Sequence, residues 1–263
     1  MQAQHSNRIF KKSNHWLEKL SWGMVATAIS FVIAISPAFA DEVEFEQCRQ
    51  LFANGNPPIL QHPETLQIRA LCFTSFAVLH SGNSRTPIYV AERLNRAALL
   101  EARNMQRTNQ FFADGRLPRV ERAELDDYQG SGYDRGHMAP AGDMATDVSM
   151  AQSFSLANMV PQAPINNRKA WASIEKATRQ YVMRAAGDVF VITGPVFDGV
   201  PPTIGASKVW VPQHLFKLVY DPATNRAWAH WLDNTDDAKV GKPISYAEVV
   251  RLTGIEFLPG WHE

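Results

Sequence analysis

Between Asn167 and Arg184 the positions Trp171, Ile174, Thr178, Tyr181 and Val182 recur at helical spacing and share one face. Gly187 follows as a C-terminal breaker. Elsewhere short runs rich in β-branched and aromatic residues predict strands. Arg69 to Leu79 and Pro87 to Leu94 read as two of them, with Ser81-Gly82-Asn83-Ser84 as the turn between. Asp188 to Thr193 reads as a central strand. Val209 to Tyr220 and Arg226 to Leu232 read as a hairpin around the loop Asp221–Asn225. A period of two along the last strand puts Trp228 and His230 on one face and Trp231 on the other. Shorter helices are predicted at Glu46–Phe52 and Thr146–Phe154, where Asp143 and Asp147 near the start favour the helix dipole. Ser245-Tyr246-Ala247-Glu248 reads as a capping box opening a helix to Leu252, stopped by Gly254. Asn95 to Pro118 has no clear period; with Arg96, Arg103, Arg107 and Arg116 it reads as a solvated loop or a basic arm. Strands in hairpin order with helices between some of them predict an α+β fold, a mainly antiparallel central sheet flanked by helices.

The N-terminus has a different character. A basic stretch ends at Lys19, an apolar run spans Trp22 to Ile35, and Ser36-Pro37 breaks it before Ala38-Phe39-Ala40. That order matches a signal peptide cleaved after Ala40, and the run is short against the ~20 residues of a membrane span. An uncleaved anchor is the alternative. Residues 1–40 are therefore set apart as a leader and the expected location is exported, periplasmic or secreted, with no stable membrane association after cleavage. Residues 41–85 read as an N-terminal extension and 86–263 as the main domain.

The 263 residues carry 26 basic and 26 acidic side chains. Arg8, Lys11, Lys12 and Lys19 against Glu18 give the leader +3, which leaves −3 on the rest. Global charge does not argue for a polyanionic partner, so any phosphate site must be local, drawn from Arg93, Arg96, Arg135, Arg168 and Lys169. Cys48 and Cys72 are the only cysteines. In an exported protein an isolated pair reads as one disulfide, tying the extension to the main domain; two free buried thiols are the alternative.

Two polar clusters carry candidate chemistry. The first is Asp134-Arg135-Gly136-His137, inside Tyr133–Pro140. A guanidinium fork suits a phosphate and an imidazole suits a proton transfer near neutral pH. The second runs through Asn158-Met159-Val160-Pro161-Gln162 to Asn166-Asn167-Arg168, then Trp171 and Glu175. Together, and in this order, they resemble the DNA/RNA non-specific endonucleases, the ββα-metal (His-Me finger) nucleases that include mitochondrial endonuclease G. The resemblance runs from about Thr86 to Pro259 and identifies 86–263 as the nuclease domain.

The resemblance implies a ββα-metal catalytic unit that hydrolyses phosphodiester bonds of DNA and RNA with little sequence preference. It implies His137 as the general base, Asn167 as the direct metal ligand, and Glu175 holding a metal-bound water. The Asn166-Asn167 doublet leaves a one-residue ambiguity, which the spacing to Trp171 and Glu175 resolves. A straight helix would separate 167 from 175 by ~12 Å, so Asn167 must lie at or before the first turn. Arg135 and Arg93 are expected at the phosphate, Arg93 from its Val-Ala-x-Arg-Leu setting, with Arg168 beside them. Asn158 is expected to position groups, and Asp134 or a nearby carbonyl to orient His137. The implied cation is Mg²⁺, with Mn²⁺ as a substitute, and a homodimer is among the expected partners. Plainer readings stand beside these: Asn167 as an N-cap, Glu175 as an exposed helix charge, Arg93 as a strand-edge charge, and the whole as a non-catalytic nucleic-acid-binding protein or a phosphodiesterase for smaller diesters. His80, His214 and His230 read as structural.

Overall fold

The computed structural model describes residues 45–61 and 66–262. The leader read in 1–40 lies outside them. Seven strands form the central sheet: β1 (Ile68–Cys72), β2 (Phe76–Ser81), β3 (Thr86–Leu94), then after two further strands β6 (Val189–Val196), β7 (His214–Asp221), β8 (Arg226–Asp233) and β9 (Ile244–Ser245). Their order is β9-β8-β7-β6-β3-β2-β1 and every pairing is antiparallel. The α+β architecture therefore matches the alternation of the sequence.

Two sequence expectations need correction. Arg69 to Leu79 is two strands, because the chain reverses at Phe73–Ser75, where the Phe73 amide donates to the Phe76 carbonyl at 2.9 Å. Val209 to Tyr220 also divides: Val209–Trp210 pairs with Thr203–Ile204, and β7 begins only after Pro212, which has no N–H to give a ladder. The stretch 41–85, read as an extension, contributes β1 and β2 to the central sheet. Cys48 and Cys72 form a disulfide with Cα atoms 5.7 Å apart, joining the helical turn Glu46–Leu51 to the end of β1.

Each sheet face has its own cover. On one, Phe45, Phe52 and Val249 pack on Ala77, Leu79, Tyr89, Ala91, Phe216 and Leu218. On the other, Val78, Val90 and Leu215 meet Met138, Phe154, Trp171 and Ile174. Phe154 caps the short helix Asp147–Ser153, and the others come from the polar clusters and the helix that follows them. The helix is α3 (Ala172–Val182), preceded by a π-helical turn, Asn166–Trp171. Trp171, Ile174, Thr178 and Val182 are buried, as the spacing predicts. A further helix, α1 (Arg96–Ala102), occupies part of the stretch read as a loop; Asn95 caps it by accepting from the Ala98 amide at 2.9 Å. The helix at Tyr246–Thr253 has the expected Ser245 cap and ends at Gly254 with φ 67°.

Candidate active site

The two polar clusters meet as a strand pair. β4 (Asp134–His137) runs antiparallel to β5 (Met159–Gln162), with Asp134 opposite Gln162 and His137 opposite Met159. Gly136 is required here by close approach: a Cβ at this position would overlap the Gln162 side chain. Asn158 clamps the backbone just past His137. Its Oδ1 accepts from the Ala139 amide, and its Nδ2 donates to the carbonyls of Ala139 and Ser153, all at 2.9 Å. Asn158 is itself fully buried and works through that backbone.

The pair β4–β5 and the start of α3 enclose a cavity of about 300 Å³ lined by Arg107, Arg135, His137, Asn167, Glu175 and Arg179 with the backbone of 140–142. The asparagine doublet divides its labour. Asn166 is buried; its Oδ1 accepts from Gln162 at 2.8 Å and its Nδ2 donates to the Asp233 carbonyl at 2.6 Å. Asn167 lines the cavity, and its Nδ2 donates to Asp134 Oδ2 at 2.9 Å. A carboxylate accepts only, so this bond fixes which end of the amide is nitrogen. The Asn167 oxygen is left for the cavity.

Asp134 also takes both arms of the Arg168 guanidinium, at 2.8 and 2.6 Å. It is thus engaged with Asn167 and Arg168, and the expected orientation of His137 by Asp134 is not what the geometry gives. His137 is 7% exposed, edge-on to Phe154 at 5.1 Å and near Phe111 at 5.8 Å. Its Nε2 is buried with no hydrogen-bond partner among the described residues. Burial first, then the nearby Arg107 charge, push its pKa down to about 3, so the ring is neutral in ordinary buffers. Glu175 moves the other way: burial raises it to about 7, opposed chiefly by Lys217.

The arginines are placed less as the sequence suggested. Arg135 reaches the cavity, its guanidinium over the rings of Phe111 at 4.9 Å and Tyr128 at 5.6 Å. Arg93 does not line the cavity. Alternation along β3 turns it to the face opposite buried Glu92, and it lies half-exposed near the end of the strand, 3.8 Å from Asp188. Arg107, read only as part of a solvated loop or basic arm, lines the cavity instead, close enough for Glu175 to act on its charge. Nothing in the aperiodic stretch around Arg107 marked it out from its basic neighbours. Arg179 was also missed; it pairs with buried Asp143 at 2.9 Å and borders the same cavity. Asn167 and Glu175 offer hard oxygen donors on one wall, a set that fits a cation keeping most of its waters.

Known proteins share sequence and fold with this chain. The chain is 36% identical over 168 residues to "Nuclease C1" of Cunninghamella echinulata var. echinulata, covering 59% of this chain and 66% of that one. It is 32% identical over 208 residues to "Nuclease EXOG, mitochondrial" of Danio rerio, 71% of this chain and 60% of that one. With "Endonuclease G, mitochondrial" of Homo sapiens it shares 34% over 156 residues, 55% of this chain and 52% of the relative. The chain thus spans between half and two thirds of these relatives' lengths. A crystal structure of an EndoG/EndoGI complex superposes with a TM-score of 0.69 at 25% identity, covering 83% of this chain and 93% of that one. The profile of the DNA/RNA non-specific endonucleases matches residues 56–263, and the chain belongs to that family.

Proposed function

We propose that this protein is a Mg²⁺-dependent endonuclease that hydrolyses phosphodiester bonds in DNA and RNA with little sequence preference. One observation carries the reading: an unprotonated imidazole, an asparagine amide, a carboxyl group and three arginines border a single cavity. Asn167 would hold the cation directly and Glu175 through a water. Bound there, the cation would supply Lewis-acid stabilisation of the developing phosphorane charge and the leaving oxygen. His137 takes the proton from the attacking water, since a neutral ring can accept one. Arg107 and Arg135 draw the phosphate in and offset its charge. Arg168, held by Asp134, keeps that carboxylate aimed at Asn167 and adds positive charge at the rim. The groups named meet phosphate, water and metal, and none is presented as a base-edge reader, which supports low sequence preference.

The leader-like segment and the Cys48–Cys72 disulfide support export, cleavage after Ala40 and residence in an oxidising compartment. Several relatives carry "mitochondrial" in their names, and N-terminal sequencing of the protein recovered from its own cell separates the two locations. The activity is tested by incubating purified protein with supercoiled plasmid and with single-stranded RNA, in Mg²⁺ and in EDTA. Nicking of both that stops in EDTA is expected. Binding without cleavage, or cleavage of only small diesters, would replace the reading.

A further inference from the structure

Behind the cavity, inside the sheet–helix interface, lie two buried ionisable side chains that the proposed chemistry does not use. Glu92 on β3 and Lys217 on β7 are each 1% exposed. The register puts them on one face: Val90 is opposite Thr193, Thr193 is opposite Lys217, and Glu92 is two residues beyond Val90. Lys217 Nζ donates to Thr193 Oγ1 at 2.6 Å and lies 3.5 Å from the Met138 carbonyl oxygen. The same ammonium stands 5.6 Å from the centre of the Trp171 ring. Met138 follows His137, and Trp171 stands midway between Asn167 and Glu175. One cation therefore touches the strand that carries the imidazole and the helix that carries the oxygen donors. Both Glu92 carboxylate oxygens are buried with no hydrogen-bond partner among the described residues. The charges acting on Glu92 are those of Asp143, Lys217, Glu175 and Arg179.

Stability alone gives a poor reason for this arrangement. Buried ion pairs can often be replaced by apolar side chains of similar volume at no loss, because desolvation offsets the attraction. A methionine would fill the space of Lys217 and would still pack on Trp171. It would not hold the Met138 carbonyl or bond to Thr193. We propose that Lys217, on the same sheet face as Glu92, is a positioning residue that fixes the spacing between His137 and the Asn167–Glu175 helix. The inference rests on the nuclease reading for its purpose and on the contacts of Lys217 for its substance.

The test uses two variants of the full mature protein. Lys217→Met/Glu92→Gln removes both buried ionisable groups together, so neither is left alone on that face. Thr193→Val removes only the short hydrogen bond. Each is followed by thermal melting, by the NMR signals of the His137 ring and the Asn167 side-chain amide without metal or substrate, and by plasmid nicking across a Mg²⁺ titration. In the double variant the melting temperature should hold within a few degrees, while both NMR signals move. Its kcat should fall about 10²-fold, the scale of a small misplacement in a site of this kind. Thr193→Val should move the same signals and lower kcat by a smaller factor. If the double variant does not fold, Thr193→Val decides alone. Unmoved signals with unchanged kcat overturn the proposal, and so does a loss of melting temperature with normal kcat, the mark of a purely structural pair. Failure of the nuclease reading is separately visible as an unsubstituted protein that nicks no plasmid, whatever the NMR signals do.

Discussion

The Asp134 carboxylate accepts a hydrogen bond from Asn167 Nδ2 at 2.9 Å, and so leaves the amide oxygen free on a residue that lines the cavity with His137. A residue of the first motif thereby aims a residue of the second. Asp134→Asn removes the obligate acceptor and the charge that holds Arg168. Partners of this kind commonly alter metal affinity by 10–100-fold. The Mg²⁺ concentration for half-maximal nicking should rise by about that factor. Arg168 is well exposed, so losing its ion pair should cost little stability, and far-UV circular dichroism should be unchanged. An unaltered Mg²⁺ titration would remove Asp134 from the site.

Arg107 and Arg93 make a matched pair of tests. Arg107 borders the cavity, whereas Arg93 lies half-exposed beside Asp188, away from it. Arg107→Gln should lower kcat/KM on plasmid by about 10–100-fold, the worth of one charge-assisted contact of ~1.5–3 kcal/mol. Arg93→Gln should change it by no more than about twofold. Equal losses would mean that both touch the phosphate.

The pH dependence should follow Glu175. Burial raises its pKa to about 7, so it is protonated below that pH and charged above it. His137, pushed down to about 3, stays neutral throughout. At limiting Mg²⁺, kcat/KM should therefore fall as pH drops through the region near 7. Raising Mg²⁺ should move this limb to lower pH, because a nearby cation favours the charged carboxylate. In Glu175→Gln the limb should be absent from the residual rate. A limb that persists in that variant belongs to another group.

Gly136 is tested through Gln162. A Cβ at 136 overlaps the Gln162 side chain, so Gly136→Ala should destabilise by ~1–3 kcal/mol through overpacking. In a domain this size each kcal/mol lowers the melting temperature by about 2–4 °C. Gln162→Ala makes room at the expense of its bond to Asn166. The double variant should melt higher than the sum of the two single effects predicts, the signature of residues in contact. Additive losses would place the strain elsewhere.

Local signals made much of this legible. The face of α3, the Ser245 cap and the Gly254 stop follow from spacing and residue type that act within a few positions. The tetrad and the Asn-Glu cluster were recognisable because they are contiguous. What was missed depends on distant pairing. Phe73–Ser75 reads as strand interior, and only the pairing of Leu71 with Val78 makes it a turn. Arg107 lacks any periodic context; it reaches the cavity because the chain around Phe111 and Phe112 is drawn in beside Phe154 and Ser155. The Glu92–Lys217 relationship spans 125 positions and is set by the sheet register. Spacing to Trp171 and Glu175 singled out Asn167 from the Asn166-Asn167 doublet, and the bonds to Gln162 and Asp134 separate the two residues in space.

The central claim is that proton transfer and metal holding belong to different residues of one cavity. Single-turnover plasmid cleavage by His137→Ala and Asn167→Ala, each across a wide Mg²⁺ range, tests it most directly. His137→Ala should keep the unsubstituted protein's half-saturating Mg²⁺ and lose about 10²–10⁴ in rate, the usual worth of a positioned base. Asn167→Ala should shift half-saturation to much higher Mg²⁺ and regain part of its rate there. A His137→Ala protein of near-normal rate, or one restored by Mg²⁺ while Asn167→Ala is not, would contradict the account.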